Sequence, residues 1–213
     1  MNYKYISLVS DQEQYVFYKI YKSGSSTVSK ILHTHTKISS LPYKKVFFEN
    51  SAERLNAYHA NLDLYFKFAF VRNPWDRLVS LYSDKVLNSE SGLKKVPYYD
   101  QFIGLSFESF LEKIIFSDLD NCIPHHRLQS HLIPFEKMNF IGRFETLNKD
   151  LAFICERLNI TNYKIGHLNK SKHAHYSTFY NDYTKRLVEV NYSEDIENFG
   201  YSFNESVHSL YER

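Results

Sequence analysis

Cysteine is scarce in this chain: Cys122 and Cys155 are the only two among 213 residues. No disulfide framework can rest on them, and two free thiols fit a reducing compartment better than a secreted protein. A long apolar run is missing as well. In the N-terminal stretch MNYKYISLVSDQEQYVFYKIYK, the residues Asp11, Gln12, Glu13 and Gln14 interrupt the hydrophobic sequence early, so neither a signal peptide nor a membrane span can be drawn there. Nor does one sign of charge dominate. The formal net charge is +2 and the isoelectric point is near 8.3, too small a basic excess for a general nucleic-acid binder. Any anion site must therefore be local. Internal repeats and low-complexity tracts are also absent from the sequence.

What is present is an ordinary globular composition with a high aromatic share. Hydrophobic residues make up 43% and charged residues 23%, and 18 tyrosines and 17 phenylalanines supply nearly all of the 17% that is aromatic. A chain of this length suits one domain, residues 1–213, with a single core. Its order of elements reads as α/β. YVFYKIY (15–21) is a buried strand that leads through a small-residue turn into a helix over 26–35. YKKVFFEN (43–50) reads as a strand and SAERLNAYHANL (51–62) as a helix capped by Ser51. YFKFAFV (65–71) is a further strand, and it runs directly into a helix with Asn73 as cap, Pro74 in the first position and Asp76 in the first turn. Helices over 106–116 and 146–159, a strand over 138–144 and one C-terminal helix followed by an aromatic segment complete the reading. Strands alternating with helices predict a P-loop-like domain with a central parallel sheet flanked by helices and ligands at the carboxyl ends of the strands.

The stretch YKSGSSTVSKIL (21–32) sits at such an end. A strand that passes through small residues into a helix aims several backbone N–H groups at one point, and the helix dipole makes that point attractive to an anion such as phosphate. Lys22 precedes the single Gly24, however, whereas the usual nucleotide loop places its lysine after two glycines. At the second strand end, Arg72 can grip a phosphate with its planar fork, and Ser80 follows eight residues on, in the next helix. Taken alone, Arg72 and Arg77 read equally well as partners of acidic neighbours.

Together, YKSGSSTV and FVRNPWDRLVSLYSDK resemble the PAPS-dependent sulfotransferases, specifically the carbohydrate sulfotransferase branch. PHHRLQSHLIPF is similar to that branch's H-W-R-P-Q element, with His125 on the histidine and Gln129 on the glutamine. FIGRFETLNKDLAFI is similar to its V-G-R-x-E-x-L-x-x-D-L segment, and SEDIENFGYSF to its ending. The likeness spans roughly residues 15–203 in the expected order. His126 and Leu128 depart from the pattern, standing in place of a tryptophan and a proline. The resemblance implies PAPS as donor, PAP as product and the hydroxyl of a carbohydrate or glycoconjugate as acceptor. It further implies that Lys22, Ser23, Gly24, Ser25, Ser26 and Thr27 hold the 5′-phosphosulfate, with Lys22 also acting on the leaving phosphate, and that Arg72 and Ser80 hold the 3′-phosphate.

A hydroxyl acceptor needs a general base, and histidine suits the task. His125 comes first, from the recognised element, and His59 second, because it precedes the Arg72 strand. No metal is expected: the pairs His33/His35, His125/His126 and His173/His175 make no recognised ligand pattern. The basic loop HLNKSKHAHYS (167–177) can close over a ligand or simply face solvent. The expectation is a cytoplasmic, bacterial enzyme with no membrane segment and no nucleic-acid partner. The alternatives are a P-loop kinase of a small metabolite and a catalytically silent member that binds nucleotide or glycan.

Overall fold

The computed structural model describes residues 4–38, 50–51, 62–87, 97–119, 122–164 and 174–204. In chain order the main elements are β1 (Lys4–Tyr5), β2 (Ser7–Ser10), β3 (Tyr15–Tyr18), α1 (Ser25–His35), β4 (Asn50–Ser51), β5 (Phe66–Val71), α2 (Pro74–Tyr82), α3 (Phe107–Ile115), β6 (Phe140–Arg143), α4 (Leu147–Arg157), α5 (Asp182–Asn191) and α6 (Ser193–Phe199). The chain divides into two compact units, Met1–Val71 with Gln129–Leu168 and Arg72–Leu128 with Asn169–Arg213.

The first unit holds a four-stranded sheet in the order β2-β3-β5-β6. The pairs β3/β5 and β5/β6 are parallel, as the strand–helix alternation predicts, so the architecture is α/β. The edge pair β2/β3 is antiparallel and makes the sheet mixed. That hairpin was not read from the sequence, where Asp11–Gln14 stood only as a break in the apolar run. These four polar residues are its turn. Gln14 takes a left-handed φ of 52°, and the Ser10 hydroxyl accepts from the Glu13 N–H at 3.2 Å, a local bond of the kind that makes serine a turn residue.

One face of the sheet presents Leu8, Tyr15, Phe17, Phe68 and Phe70, which pack with Val28, Ile31 and Leu32 of α1 and with Leu151, Ile154 and Cys155 of α4. Val9, Val16, Ala69 and Val71, which alternate with them, are buried too. Burial on both sides explains why these strands read as unbroken apolar runs rather than alternating ones. Each such Phe or Leu side chain contributes about 1.5–3 kcal/mol over its exposed state.

The second unit is helical around an aromatic core that includes Trp75, Tyr82, Tyr99, Phe102, Phe107, Phe110 and Tyr192. The Tyr82 ring lies 5.3 Å from both Phe107 and Phe110. Three of its helices start at a side-chain cap. Asn73 caps α2 by accepting from the Trp75 and Asp76 N–H groups, Ser106 caps α3 through Ser109, and Asn181 with Thr184 forms a reciprocal capping box on α5. The single C-terminal helix of the sequence reading is two, α5 and α6, separated at Tyr192 by a backbone that leaves helical geometry (φ −113°, ψ 21°). The aromatic segment after them returns to the core: Phe203 meets Trp75, Tyr176 and Tyr180 edge-on at 5.5–5.6 Å. Residues 52–61 of the helix expected over 51–62 and nearly all of the strand expected over 43–50 lie outside the described residues, and Ser51, expected as the cap, pairs with Lys4 in β4. Among the described residues no helix is long and apolar enough to cross a membrane.

Candidate anion site and catalytic histidine

β3 and β5 are parallel, so both reach the same edge of the sheet with their carboxyl ends. After β3 the chain makes a tight turn over residues 21–24 before α1 begins. Lys22 and Gly24 both adopt left-handed conformations, φ 69° and 78°, on either side of Ser23. Alternation of hand turns successive N–H groups toward one side, the geometry of an anion-binding nest. For Lys22 this conformation is uncommon, and such strain collects at functional turns. Gly24 is needed on two counts: its φ disfavours a side chain, and a Cβ there would meet Leu147 Cδ2 at 3.0 Å and Phe144 Cδ2 at 3.2 Å.

The hydroxyls divide their labour. Ser23 is fully buried and donates to the Ile20 carbonyl at 2.8 Å, which closes the turn. Ser25 and Thr27 are buried and Ser26 is exposed. The Thr27 and Val28 N–H groups bond the Gly24 carbonyl. No side chain caps α1, and no acidic residue lies in its first turn, whereas each of the other described α-helices carries one there. Neither a cap nor a first-turn acid offsets the positive end of α1, and an anion is what it would attract.

Lys19, two residues before the turn, was not singled out in the sequence. Its ammonium lies 5.0 Å from the Tyr21 ring centroid, and burial lowers its pKa to about 8. Burial, and then the charge of Lys19, also lowers the pKa of His33 on α1. A lysine directly after a strand end and beside a small-residue turn was the available signal.

The second strand end carries Arg72, which is 5% exposed. Its Nε donates to Asp76 Oδ2 at 2.8 Å, so the pairing with an acidic neighbour does occur and orients the guanidinium from one edge. Ser80 is buried on α2. Lys22 to Thr27 thus run through the turn into the first residues of α1 in the first unit, while Arg72, Ser80 and His125 belong to the second.

His125 is half-buried with its ring edge-on to Tyr99, 5.8 Å between centroids. Its neighbour is wholly different. His126 is fully buried and stacked on Tyr98 at 6.0 Å, and neither of its ring nitrogens has a hydrogen-bond partner among the described residues. Burial, reinforced by the charges of Arg77 and Arg127, pulls its pKa down to about 4. It is a core imidazole that burial keeps in its neutral form near pH 7. His59 and His173 lie outside the described residues, as do residues 165–173 of the basic loop. His175 accepts from the Ser177 N–H and starts a short turn over Tyr176–Phe179. Among the described residues no three His, Cys, Asp or Glu side chains are grouped to hold a metal.

The GRFET segment has a structural explanation. A Cβ on Gly142 would lie 2.5 Å from Phe70 Cε1, so only glycine lets β6 pass that ring. Asp150 accepts from the Arg143 N–H at 2.7 Å and from the Thr146 hydroxyl at 2.8 Å, tying the end of β6 to the start of α4.

The model of the sulfotransferase family matches residues 6–202. Carbohydrate sulfotransferase 10 of Xenopus laevis is 26% identical over an alignment covering 91% of this chain and 66% of that protein. The proteins of the same name from Gallus gallus and Danio rerio are 26% and 24% identical, covering 85% and 71% of this chain and 57% and 52% of their own lengths. The chain therefore spans between half and two thirds of the curated relatives it matches. No solved structure matches it.

Proposed function

Because the chain belongs to the sulfotransferase family, we propose that it transfers the sulfuryl group of PAPS to a hydroxyl of a carbohydrate or glycoconjugate and releases PAP, acting as one domain over residues 1–213. The observation that carries this reading is the turn before α1: two left-handed residues, one of them Lys22, at a helix end with neither a capping side chain nor an acid. The names of the relatives support the carbohydrate acceptor. The unpaired cysteines support a cytoplasmic setting.

Sulfuryl transfer resembles phosphoryl transfer in its loose transition state, so the protein chiefly positions the reactants and stabilises charge. The acceptor oxygen forms a bond to sulfur while the bond from sulfur to the bridging oxygen breaks. Charge grows on that oxygen, and the Lys22 ammonium is the group to meet it. The N–H groups of the turn and the hydroxyls of Ser25, Ser26 and Thr27 surround the 5′-phosphate, while Ser23 keeps the turn closed. Arg72, held by Asp76, and Ser80 take the 3′-phosphate. The acceptor proton passes to His125, with His59 as the second choice for base.

Thermal-shift measurements with PAP, PAPS, ADP, ATP and GTP test the donor. At 100 times its dissociation constant PAP should stabilise the protein by about 2.7 kcal/mol, with ADP far weaker at the same concentration. Equal shifts from PAP and ADP would remove the 3′-phosphate assignment, and a preference for ATP would point to a kinase instead.

A further inference from the structure

The segment Pro124–Arg127 forms neither helix nor strand, so its carbonyls must find partners outside any ladder. All four do. Arg77 of α2 donates from Nη1 to the Arg127 carbonyl at 2.8 Å and from Nη2 to those of Pro124 at 3.2 Å and His125 at 3.1 Å. The hydroxyl of Tyr192, at the junction of α5 and α6, donates to the His126 carbonyl at 2.7 Å. Arg127 in turn donates from Nε to the Cys122 carbonyl at 3.2 Å and closes the segment on itself. Arg77 is 1% exposed and Tyr192 fully buried. Burial pulls the pKa of Arg77 down, and the charge of Asp195, one turn beyond Tyr192, opposes that.

A buried guanidinium is a costly way to hold a loop, since desolvating it takes several kcal/mol that apolar packing would not require. What it supplies is direction, because a planar fork fixes several acceptors in one arrangement and a lysine cannot reproduce it. The segment so fixed carries His125, and the helix that fixes it also carries Ser80 and follows directly on Arg72.

We infer that Arg77 is a positioning residue for the acceptor side of the reaction, setting the backbone that carries His125 against the helix that carries Ser80. This rests on the reading of His125 as the base. Tyr192 is the second fastening of the same segment.

A double-mutant cycle separates positioning from mere support. Arg77→Lys should lower kcat by about 10²-fold, the scale of a displacement near 1 Å, while PAP affinity changes less than about 3-fold. In a His125→Ala background the same substitution should cost less than about 3-fold, because a base that is absent cannot be misplaced. Full costs that multiply, or a near-normal kcat in Arg77→Lys, would overturn the inference. If Arg77→Lys fails to fold, Tyr192→Phe takes its place in the cycle, with a loss of about 10-fold that again disappears when His125 is removed and the same overturning outcomes. Amide hydrogen exchange over 125–128 distinguishes this inference from the reading beneath it. Faster exchange there with His125→Ala at near-normal turnover would discard the base assignment and the positioning role with it, but leave the fastening standing. Unchanged exchange in the fastening variant would discard the fastening itself.

Discussion

The turn at 21–24 and the segment at 124–127 are both short irregular stretches that carry a residue proposed for chemistry, and they are held in opposite ways. The first is closed by its own neighbours: Ser23 bonds Ile20 three residues back, Thr27 and Val28 bond Gly24, and the rest is backbone conformation. The second is held by two buried side chains, Arg77 and Tyr192, each far from it in sequence. Rigidity that comes from the local backbone can be written in a few small residues. Rigidity that comes from distant donors exists only once the unit has folded, and it fails when that unit loosens.

The largest expected effect lies in the first region. Lys22→Ala should lower turnover by about 10²–10³, the usual cost of one donor to a developing oxyanion, and weaken PAP binding while leaving the urea midpoint nearly unchanged. A loss of stability equal to that of a core substitution would mean that Lys22 supports the turn rather than the reaction, and would erase the contrast.

The second region should instead be the acid-sensitive one. The unfolded chain protonates His126 near its ordinary value of 6.5 and the folded chain only near 4. Stability is therefore complete above about pH 6.5 and drains away as pH falls toward 4, by roughly 3 kcal/mol. The charges of Arg77 and Arg127 act on it, its ring stacks on Tyr98, and the Tyr192 hydroxyl bonds its carbonyl. None of these raises the affinity of His126 for a proton in that range. Urea midpoints between pH 7 and 4 should fall in the natural protein and lose much of that slope in His126→Phe. An equal slope in both would place the acid sensitivity elsewhere.

The smallest effect sharpens the first region again. Gly24→Ala places a Cβ at φ 78° within 3.0 Å of Leu147 and should cost about 1–2 kcal/mol. Because the turn is backbone-built, PAP affinity should fall along with stability. Intact PAP binding in this variant would show that the nest of N–H groups contributes little.

The same distinction explains what could be read in advance. Asn73-Pro74 and Ser106 announced their helices because a cap is a local hydrogen bond between near neighbours. β3 and β5 were legible because strands buried on both faces leave long apolar runs. The β2–β3 hairpin was not, since its turn residues Asp11–Gln14 look the same as any polar interruption until the strands pair. Among the site residues, Lys22 to Thr27 were assigned as a group and lie together across the turn and the start of α1. Taken alone, Arg72 and Arg77 both read as partners of acidic neighbours, yet one bonds Asp76 and the other bonds three carbonyls.

Sequence alone determined the α/β class, the starts of α1 to α4 and, through ordered motifs, the family, because each depends on residues within a few positions of one another or on a pattern along the chain. Only the tertiary structure decided that His125 and His126, identical and adjacent, have opposite environments, one half-buried and one sealed against Tyr98. Burial is a property of what surrounds a residue, and here the surroundings are Tyr98 and Tyr99, more than twenty residues back in the chain, and helices some fifty or more residues away. The same holds for Arg77, whose partners carry no side-chain signature: a backbone carbonyl is common to every residue, so no sequence marks the ones that an arginine will claim.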